Sequence, residues 1–321
     1  MGDIKEWIQA LFENALFHEA TSIDSSLLLF SCNSGADELK SHLEDDFNFE
    51  SALRLLSLRE QNKVLSVKDQ ESKFRLLVAS LLTRLVLNYF VHRVEGGEFS
   101  PLKEIHFSYS KLGKPTLLTP HGSQIQFSSS SSNEIVAIVV QLGSSTPLGL
   151  DLSHSRQKIS ASTIMEDFGL IFSPEEKQQL QSIQGERERY IAFNQLWTLK
   201  EAFTKLIGTG LHVDLSSFSF DFITSAIIDG SKETQCSVTR NVVQRYDVEW
   251  RNNISVNYEK ISNQEPGLDH VFRSKPVFDC VSGIIASHDE FPVIASTIHQ
   301  NSCPVEYFDI AMHEILIKLQ E

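Results

Sequence analysis

The sequence has no uninterrupted apolar run long enough to cross a bilayer. Its longest clean one, residues 135–140, falls far short of the roughly 20 residues that a membrane-spanning helix needs, so no membrane partner is expected. The opening residues hold no basic stretch followed by an apolar one, and no secretory signal is expected from them. Glu6 stands where a myristoylation motif requires Ser or Thr. Cysteine is scarce. Cys32, Cys236, Cys280 and Cys303 lie far apart with no Cys-x-x-Cys pair, which argues against a disulfide framework and a structural zinc site. Such thiols fit a reducing compartment, and the expected location is cytoplasmic. Positive charge is short as well: 28 Lys and Arg against 42 Asp and Glu leave a net charge of −14. With no long basic run, nucleic acid is not an expected partner. Any anionic substrate must therefore meet a few deliberately placed cations.

What remains is an ordinary globular composition, 41% hydrophobic and 22% charged over 321 residues. The fold class read from it is α+β, in two halves, 1–145 and 146–321. In the first, residues 71–91 are apolar, free of Gly and Pro, and long enough for a helix; Lys73, Arg75 and Arg84 interrupt its surface. Strand-like stretches follow at 105–110 and 135–141, and the serine tract 128–132 between them reads as a loop. In the second half, Leu148-Gly149-Leu150-Asp151-Leu152 reads as a short strand ending at a carboxylate. Ser173-Pro174-Glu175-Glu176 carries a helix-start signature. A long helix is expected over about 187–207, stopped by Gly208 and Gly210. Further strands are expected at 218–229, 246–258 and 293–299, with loops at 230–241 and 263–275.

The helix over about 187–207 points to chemistry. At about 100° per residue, with Trp197 at zero, Glu201 falls near 40°, Lys205 near 80° and Lys200 near −60°. Leu199, Ala202, Phe203 and Leu206 fall on the opposite side. A solvated face with Glu–Lys pairs four apart would be worth only a few tenths of a kcal/mol per pair. Trp197 on that face weakens this bland reading, because a large aromatic seeks burial. Asp151 and Glu201 together could hold one Mg²⁺, which takes carboxylate oxygens, waters and substrate phosphates. Lys200, Lys205, Arg75 and Lys63 are candidates to take the remaining negative charge of a bound pyrophosphate.

Three patterns in order resemble the Sfp-type 4′-phosphopantetheinyl transferases, in particular their eukaryotic, aminoadipate-semialdehyde dehydrogenase-directed branch. Gly113-Lys114-Pro115 is similar to the family's Gly-Lys-Pro element. Gly149-Leu150-Asp151 is similar to its Gly-x-Asp element. Trp197-Thr198-Leu199-Lys200-Glu201, with Lys205 and then Gly208-x-Gly210, is similar to its Trp-x-x-Lys-Glu-x-x-x-Lys element. The resemblance covers roughly residues 50–225. It implies the transferase fold, two similar α+β halves packed with the active site between them. It also implies transfer of the phosphopantetheine arm of coenzyme A to a serine of an apo carrier protein, with release of adenosine 3′,5′-bisphosphate. The carrier served would be the aminoadipate reductase of lysine biosynthesis, or fatty-acid and polyketide carrier domains, or all of these. Pseudo-symmetric halves would make the chain a monomer.

Residue by residue, the resemblance implies that Asp151 and Glu201 hold Mg²⁺ and that Lys200 and Lys205 hold the pyrophosphate, Lys205 also meeting the leaving oxygen. Glu201 or a metal-bound water is the candidate base. Lys63, Arg75 and Lys114 would grip the 3′-phosphate and adenine side, in the first half. Two departures stand out. The family's F-N-x-S-H-S stretch reads Phe127-Ser128-Ser129-Ser130-Ser131-Ser132 here. That places the neutral donor Ser131 where a coenzyme A-binding His is usual, and weaker phosphate binding is expected. The second acid of a D-x-E motif is replaced by Ser153, and a water is expected in its place. Carrier domains of this class are acidic, as this chain is, so docking is expected at a local basic or apolar groove. A catalytically lapsed coenzyme A-binding or scaffold relative is the alternative, motivated by Ser131 and the serine tract.

Overall fold

Apolar stretches of two kinds build the fold: strands buried on both faces, and long helices that cover them. The computed structural model describes residues 2–17, 23–132, 134–153, 163–222, 241–264, 272, 274–288, 291–300 and 302–320. Helix α1 (Gly2–Phe17) precedes strand β1 (Leu27–Asn33), then come helices α2 (Asp37–Glu44), α3 (Asp46–Leu53), α4 (Leu58–Ser66) and α5 (Gln70–Glu95). A small hairpin, β2 (Phe107–Tyr109) and β3 (Pro115–Leu117), leads to β4 (Ile125–Ser131), β5 (Ile135–Leu142) and β6 (Gly149–Leu152). Helices α6 (Ile164–Phe168), α7 (Pro174–Ser182) and α8 (Glu186–Ile207) follow, then β7 (Ser219–Phe222), β8 (Val243–Tyr246), β9 (Arg251–Asn257) and α9 (Glu259–Gln264). The chain closes with β10 (Asp279–His288), β11 (Phe291–His299), β12 (Val305–Ile310) and α10 (Met312–Gln320).

The strands form two five-stranded sheets, ordered β4-β5-β1-β12-β8 and β6-β11-β10-β9-β7. Alternation along each strand shows how they stack. Leu27 and Leu29 of β1 point into a core shared with Leu150, Leu152, Val293 and Ala295 of the other sheet. Leu28, Phe30 and Cys32 point the opposite way, under the helices of the first half. Strands buried on both faces read as continuous apolar runs, which is why β5 has the cleanest such run in the chain. Helix α8 covers the outer face of the second sheet, with Leu199, Ala202, Phe203 and Leu206 all buried. The α+β class is as read from the sequence.

Several expectations need correction or refinement. The serine tract is not a loop: Ser128 to Ser131 pair in register with Val139 to Val136 of β5. Serine has low strand propensity, and here the ladder with β5 and contacts across to the second sheet hold it extended. The halves do not separate at residue 145. Strand β12 pairs parallel with β1, and β8 pairs with β12, so two strands of the second half complete the first sheet. The stretch 246–258, read as one strand, breaks between β8 and β9, which belong to different sheets. Of the strand expected at 218–229, β7 covers the start, and the remainder lies outside the described residues, as do most of the expected loops at 230–241 and 263–275.

Helix α5 runs from an Asp69 cap, whose side chain accepts from the Ser72 N–H, to Gly96 at φ 74°. It is long and apolar enough by composition to cross a membrane, but 67% of the qualifying stretch is buried inside the protein. Helix α7 starts as the sequence indicates, with Ser173 and Glu176 forming a reciprocal capping box.

Two features here make testable predictions. A Cβ at Gly149 would lie 1.9 Å from the Ala202 carbonyl oxygen of α8, too close for any flexible adjustment. Gly149→Ala should lower the urea unfolding midpoint, with a loss of about 2 kcal/mol or more. His299 is fully buried, and neither ring nitrogen meets a hydrogen-bond partner among the described residues. Burial holds its pKa below the ordinary 6.5, with Asp279 pulling the other way. The unfolded histidine accepts a proton that the folded one refuses, so its contribution is intact above about pH 6.5 and is lost as pH falls below it. Unfolding midpoints measured between about pH 7.5 and 5.5 should fall more steeply for the wild type than for His299→Gln.

Candidate active site

Strand β6 lies at the edge of the second sheet, antiparallel to β11 with Asp151 opposite Ser296. Its Leu150 and Leu152 fill the core between the sheets, so alternation turns Gly149 and Asp151 toward α8. The missing Cβ of Gly149 lets the strand backbone touch the helix. Thr198 of α8 bonds Ser296 through their hydroxyls at 2.6 Å, fixing the helix on the same two strands. Helix α8 ends at Gly208 in the left-handed conformation, φ 77°, its N–H bonding the Thr204 carbonyl. The result places residues 201 and 205, one turn apart, directly beside Asp151.

A cavity of ≈ 370 Å³ opens there. The first half contributes Ala79, Leu82 and Thr83 of α5 and the Ser129–Ser131 backbone region of β4; the second contributes Asp151, Glu201 and Lys205. Lys205 Nζ donates to Asp151 Oδ1 at 2.8 Å and to the Leu150 carbonyl at 3.0 Å. Asp151 is only 7% exposed. Burial and the neighbouring Asp151 raise the pKa of Glu201, with Lys205 pulling it back. Two carboxylates facing one cavity with a single ammonium leave excess negative charge, a setting that favours a hard cation with oxygen ligands. Among the described residues no cluster of three or more His, Cys, Asp or Glu suits a metal, so this would be a two-carboxylate position completed by substrate and water.

The structure therefore brings together Asp151, Glu201, Lys205 and Ser131 of the residues singled out from the sequence. Arg75 lies on the same face of α5 as the cavity-lining Ala79 and Thr83, about one turn before the first and two before the second, and donates to the Ser72 hydroxyl at 3.1 Å. Lys63 is exposed on α4 and does not line the cavity.

Two lysines depart from expectation. Lys200 is fully buried and points away from the cavity. Its ammonium pairs with the equally buried Glu176 at 2.9 Å and donates to the Leu215 and Phe218 carbonyls, both at 2.8 Å. Burial lowers its pKa, and Glu176 raises it. On the helical wheel Lys200 lies about 100° from Glu201, which here is enough to put it on a different face. Lys114 is the second departure. Its ammonium bonds the Leu206 carbonyl at 2.6 Å and the Leu148 carbonyl at 3.2 Å. It thus caps the C-terminal end of α8, where the helix dipole favours a cation, and burial pushes its pKa down to about 8. Arg84 also serves the scaffold, bonding Glu60 and the Leu55 and Leu102 carbonyls. Trp197 is half-buried and packs edge-on against Phe168 at 5.6 Å.

Sequence reasoning missed Ser130, whose hydroxyl donates to Asp151 Oδ1 at 2.8 Å. Ser128 and Ser130 are two apart and share a face of β4, a period-2 signal hidden by the uniformity of the tract. Ser153, at the position of the missing second acid, is turned into the sheet: its hydroxyl accepts from the Ile294 N–H at 2.8 Å.

Residues 147–253 match the family model of the 4′-phosphopantetheinyl transferase superfamily. An L-aminoadipate-semialdehyde dehydrogenase-phosphopantetheinyl transferase of Saccharomyces cerevisiae is 28% identical over 240 residues, 71% of this chain and 83% of that protein. The protein of the same name from Candida glabrata is 28% identical over 198 residues, 60% of this chain and 70% of its own length. Over these stretches the chain is similar to the 4′-phosphopantetheinyl transferases. A bacterial 4′-phosphopantetheinyl transferase, from Bacillus pumilus, is 31% identical over 150 residues, 46% of this chain and 58% of that one. The matched region contains Gly149, Asp151, Glu201 and Lys205, so the cavity's second wall lies within the matched segment.

The placement of Lys200 is directly testable. Leaving Glu176 buried and unpaired should make Lys200→Met lose about 3–5 kcal/mol in urea unfolding. Coenzyme A affinity of the folded fraction, measured by calorimetry, should be unchanged. A stable variant that binds coenzyme A weakly would instead put Lys200 on the phosphates.

Proposed function

We propose that this chain transfers the 4′-phosphopantetheine arm of coenzyme A to a serine hydroxyl of an apo carrier domain in a Mg²⁺-dependent reaction. The observation that carries the reading is the convergence of Asp151, Glu201 and Lys205 on one cavity walled by both halves. In the step, the carrier serine oxygen forms a bond to the β-phosphorus of coenzyme A. The pyrophosphate P–O bond breaks, and adenosine 3′,5′-bisphosphate leaves. Asp151 and Glu201 would hold Mg²⁺, which when bound neutralises charge growing on the pyrophosphate. Lys205, held at the cavity by Asp151 and the Leu150 carbonyl, meets the leaving oxygen. Glu201 or a metal-bound water is the candidate to accept the serine proton.

The first half would take the 3′-phosphate and adenine. Arg75 supplies charge from α5, Lys63 from α4, and Ser131 a neutral donor from β4. Lys114 and Lys200, committed to carbonyls and to Glu176, leave this set. The named activity of the yeast relatives supports a carrier domain of the aminoadipate-semialdehyde dehydrogenase type as substrate. We place the enzyme in the cytoplasm as a monomer, in keeping with its buried, unpaired thiols Cys32 and Cys280.

Incubation with coenzyme A, Mg²⁺ and an apo carrier domain, followed by intact mass, tests this. The carrier should gain one phosphopantetheine arm, and Glu201→Gln should slow the gain by about 10²-fold or more. If the wild type binds coenzyme A and modifies no carrier, the chain is a lapsed binding relative.

A further inference from the structure

We propose that Ser130 is a positioning residue for Asp151, holding its carboxylate so that one oxygen is presented to the cavity for a divalent cation. The inference rests on the metal reading given above and goes beyond it by naming what aims the ligand. Asp151 Oδ1 receives two hydrogen bonds, from the Ser130 hydroxyl at 2.8 Å and from Lys205 Nζ at 2.8 Å. Both fall on the same oxygen. Among the described residues no donor reaches Oδ2, which belongs to a side chain lining the cavity. Rotation about the last side-chain torsion of an aspartate is soft. Two donors on one oxygen, approaching from different elements, remove that freedom and leave the other oxygen for the cation.

The support behind Ser130 is itself fixed. Two residues earlier on the same face of β4, the Ser128 hydroxyl accepts the Leu150 N–H at 3.0 Å, so β4 is stitched to β6 across the two sheet edges. The Ser129 carbonyl lies 3.4 Å from Lys205 Nζ. Ser128 through Ser130 thus address three consecutive features of the opposite strand and helix: a backbone amide, the lysine and the carboxylate. A serine suits the job better than a charged donor. Its hydroxyl orients the carboxylate without cancelling the negative charge that draws a cation. Hydrogen bonds that aim metal ligands typically change metal affinity 10–100-fold when removed.

The test uses Mn²⁺ as the probe, its binding to the full-length protein followed by electron paramagnetic resonance. Wild type, Ser130→Ala, Ser130→Thr, Ser128→Ala and Asp151→Asn are compared. Ser130→Ala should weaken Mn²⁺ binding by about 10-fold, and Ser130→Thr, which keeps the hydroxyl, should recover most of it. Ser128→Ala should lower the unfolding midpoint while leaving Mn²⁺ affinity unchanged, separating seam stability from ligand aiming. In turnover, Ser130→Ala should raise the Mg²⁺ concentration needed for half-maximal rate and leave the rate at saturating Mg²⁺ near that of the wild type. If Ser130→Ala does not fold, Ser130→Cys, with a weak donor of similar size, should show the same loss of affinity. Mn²⁺ affinity unchanged in Ser130→Ala but abolished in Asp151→Asn would overturn the positioning role alone. Mn²⁺ affinity indifferent to Asp151→Asn would overturn the metal reading beneath it.

Discussion

Everything at this site depends on how closely β6 approaches α8. The strand edge reaches the helix backbone at Gly149, where no Cβ fits. That contact sets Asp151 beside Glu201 and Lys205, residues that are about 50 positions away in sequence. It also fixes which way Asp151 faces, because Leu150 and Leu152 on either side are committed to the core between the sheets. A buried carboxylate that cannot turn away must find counter-charge, and Lys205 and the Ser130 hydroxyl provide the local part of it. The site is thus a consequence of sheet alternation and one glycine.

A second constraint is economy of cations. The chain carries an excess of acids, yet several of its buried or half-buried basic side chains hold the scaffold. Lys200 neutralises Glu176 inside the second half, Arg84 pairs with Glu60 in the first, and Lys114 caps α8. Glu176 illustrates how far this goes: it caps its own helix, accepts the Phe220 N–H at 2.9 Å and binds Lys200. Such pairs are weak sources of net stability, but breaking one partner is severe. Of the cations weighed for an anionic substrate, Lys205 lines the cavity, where it pairs with Asp151.

Much of this was legible in the sequence, for identifiable reasons. Helix α8 announced itself through apolar periodicity and the Gly208 stop, and α7 through its capping box. Asp151, Glu201 and Lys205 could be joined because a strand ending in Gly-x-Asp and a helix with Lys-Glu-x-x-x-Lys resembled a known constellation. The illegible parts share a cause: they depend on contacts between distant segments. The pairing of β12 with β1 leaves no local trace, so the boundary between halves could not be drawn. Low strand propensity hid β4 as a loop. The wheel placed Lys200 within reach of the cluster, and only the position of Glu176, 24 residues earlier, shows where its charge goes.

The central claim is that Asp151 and Glu201 share one divalent cation in the cavity between the halves. Crystals grown with coenzyme A and Mn²⁺, examined by anomalous scattering at the manganese edge, test it most directly. The account predicts one peak within coordination distance of both carboxylates and of the coenzyme A pyrophosphate. A peak bound elsewhere, or coenzyme A seated in the cavity with no manganese between it and these two residues, would contradict it.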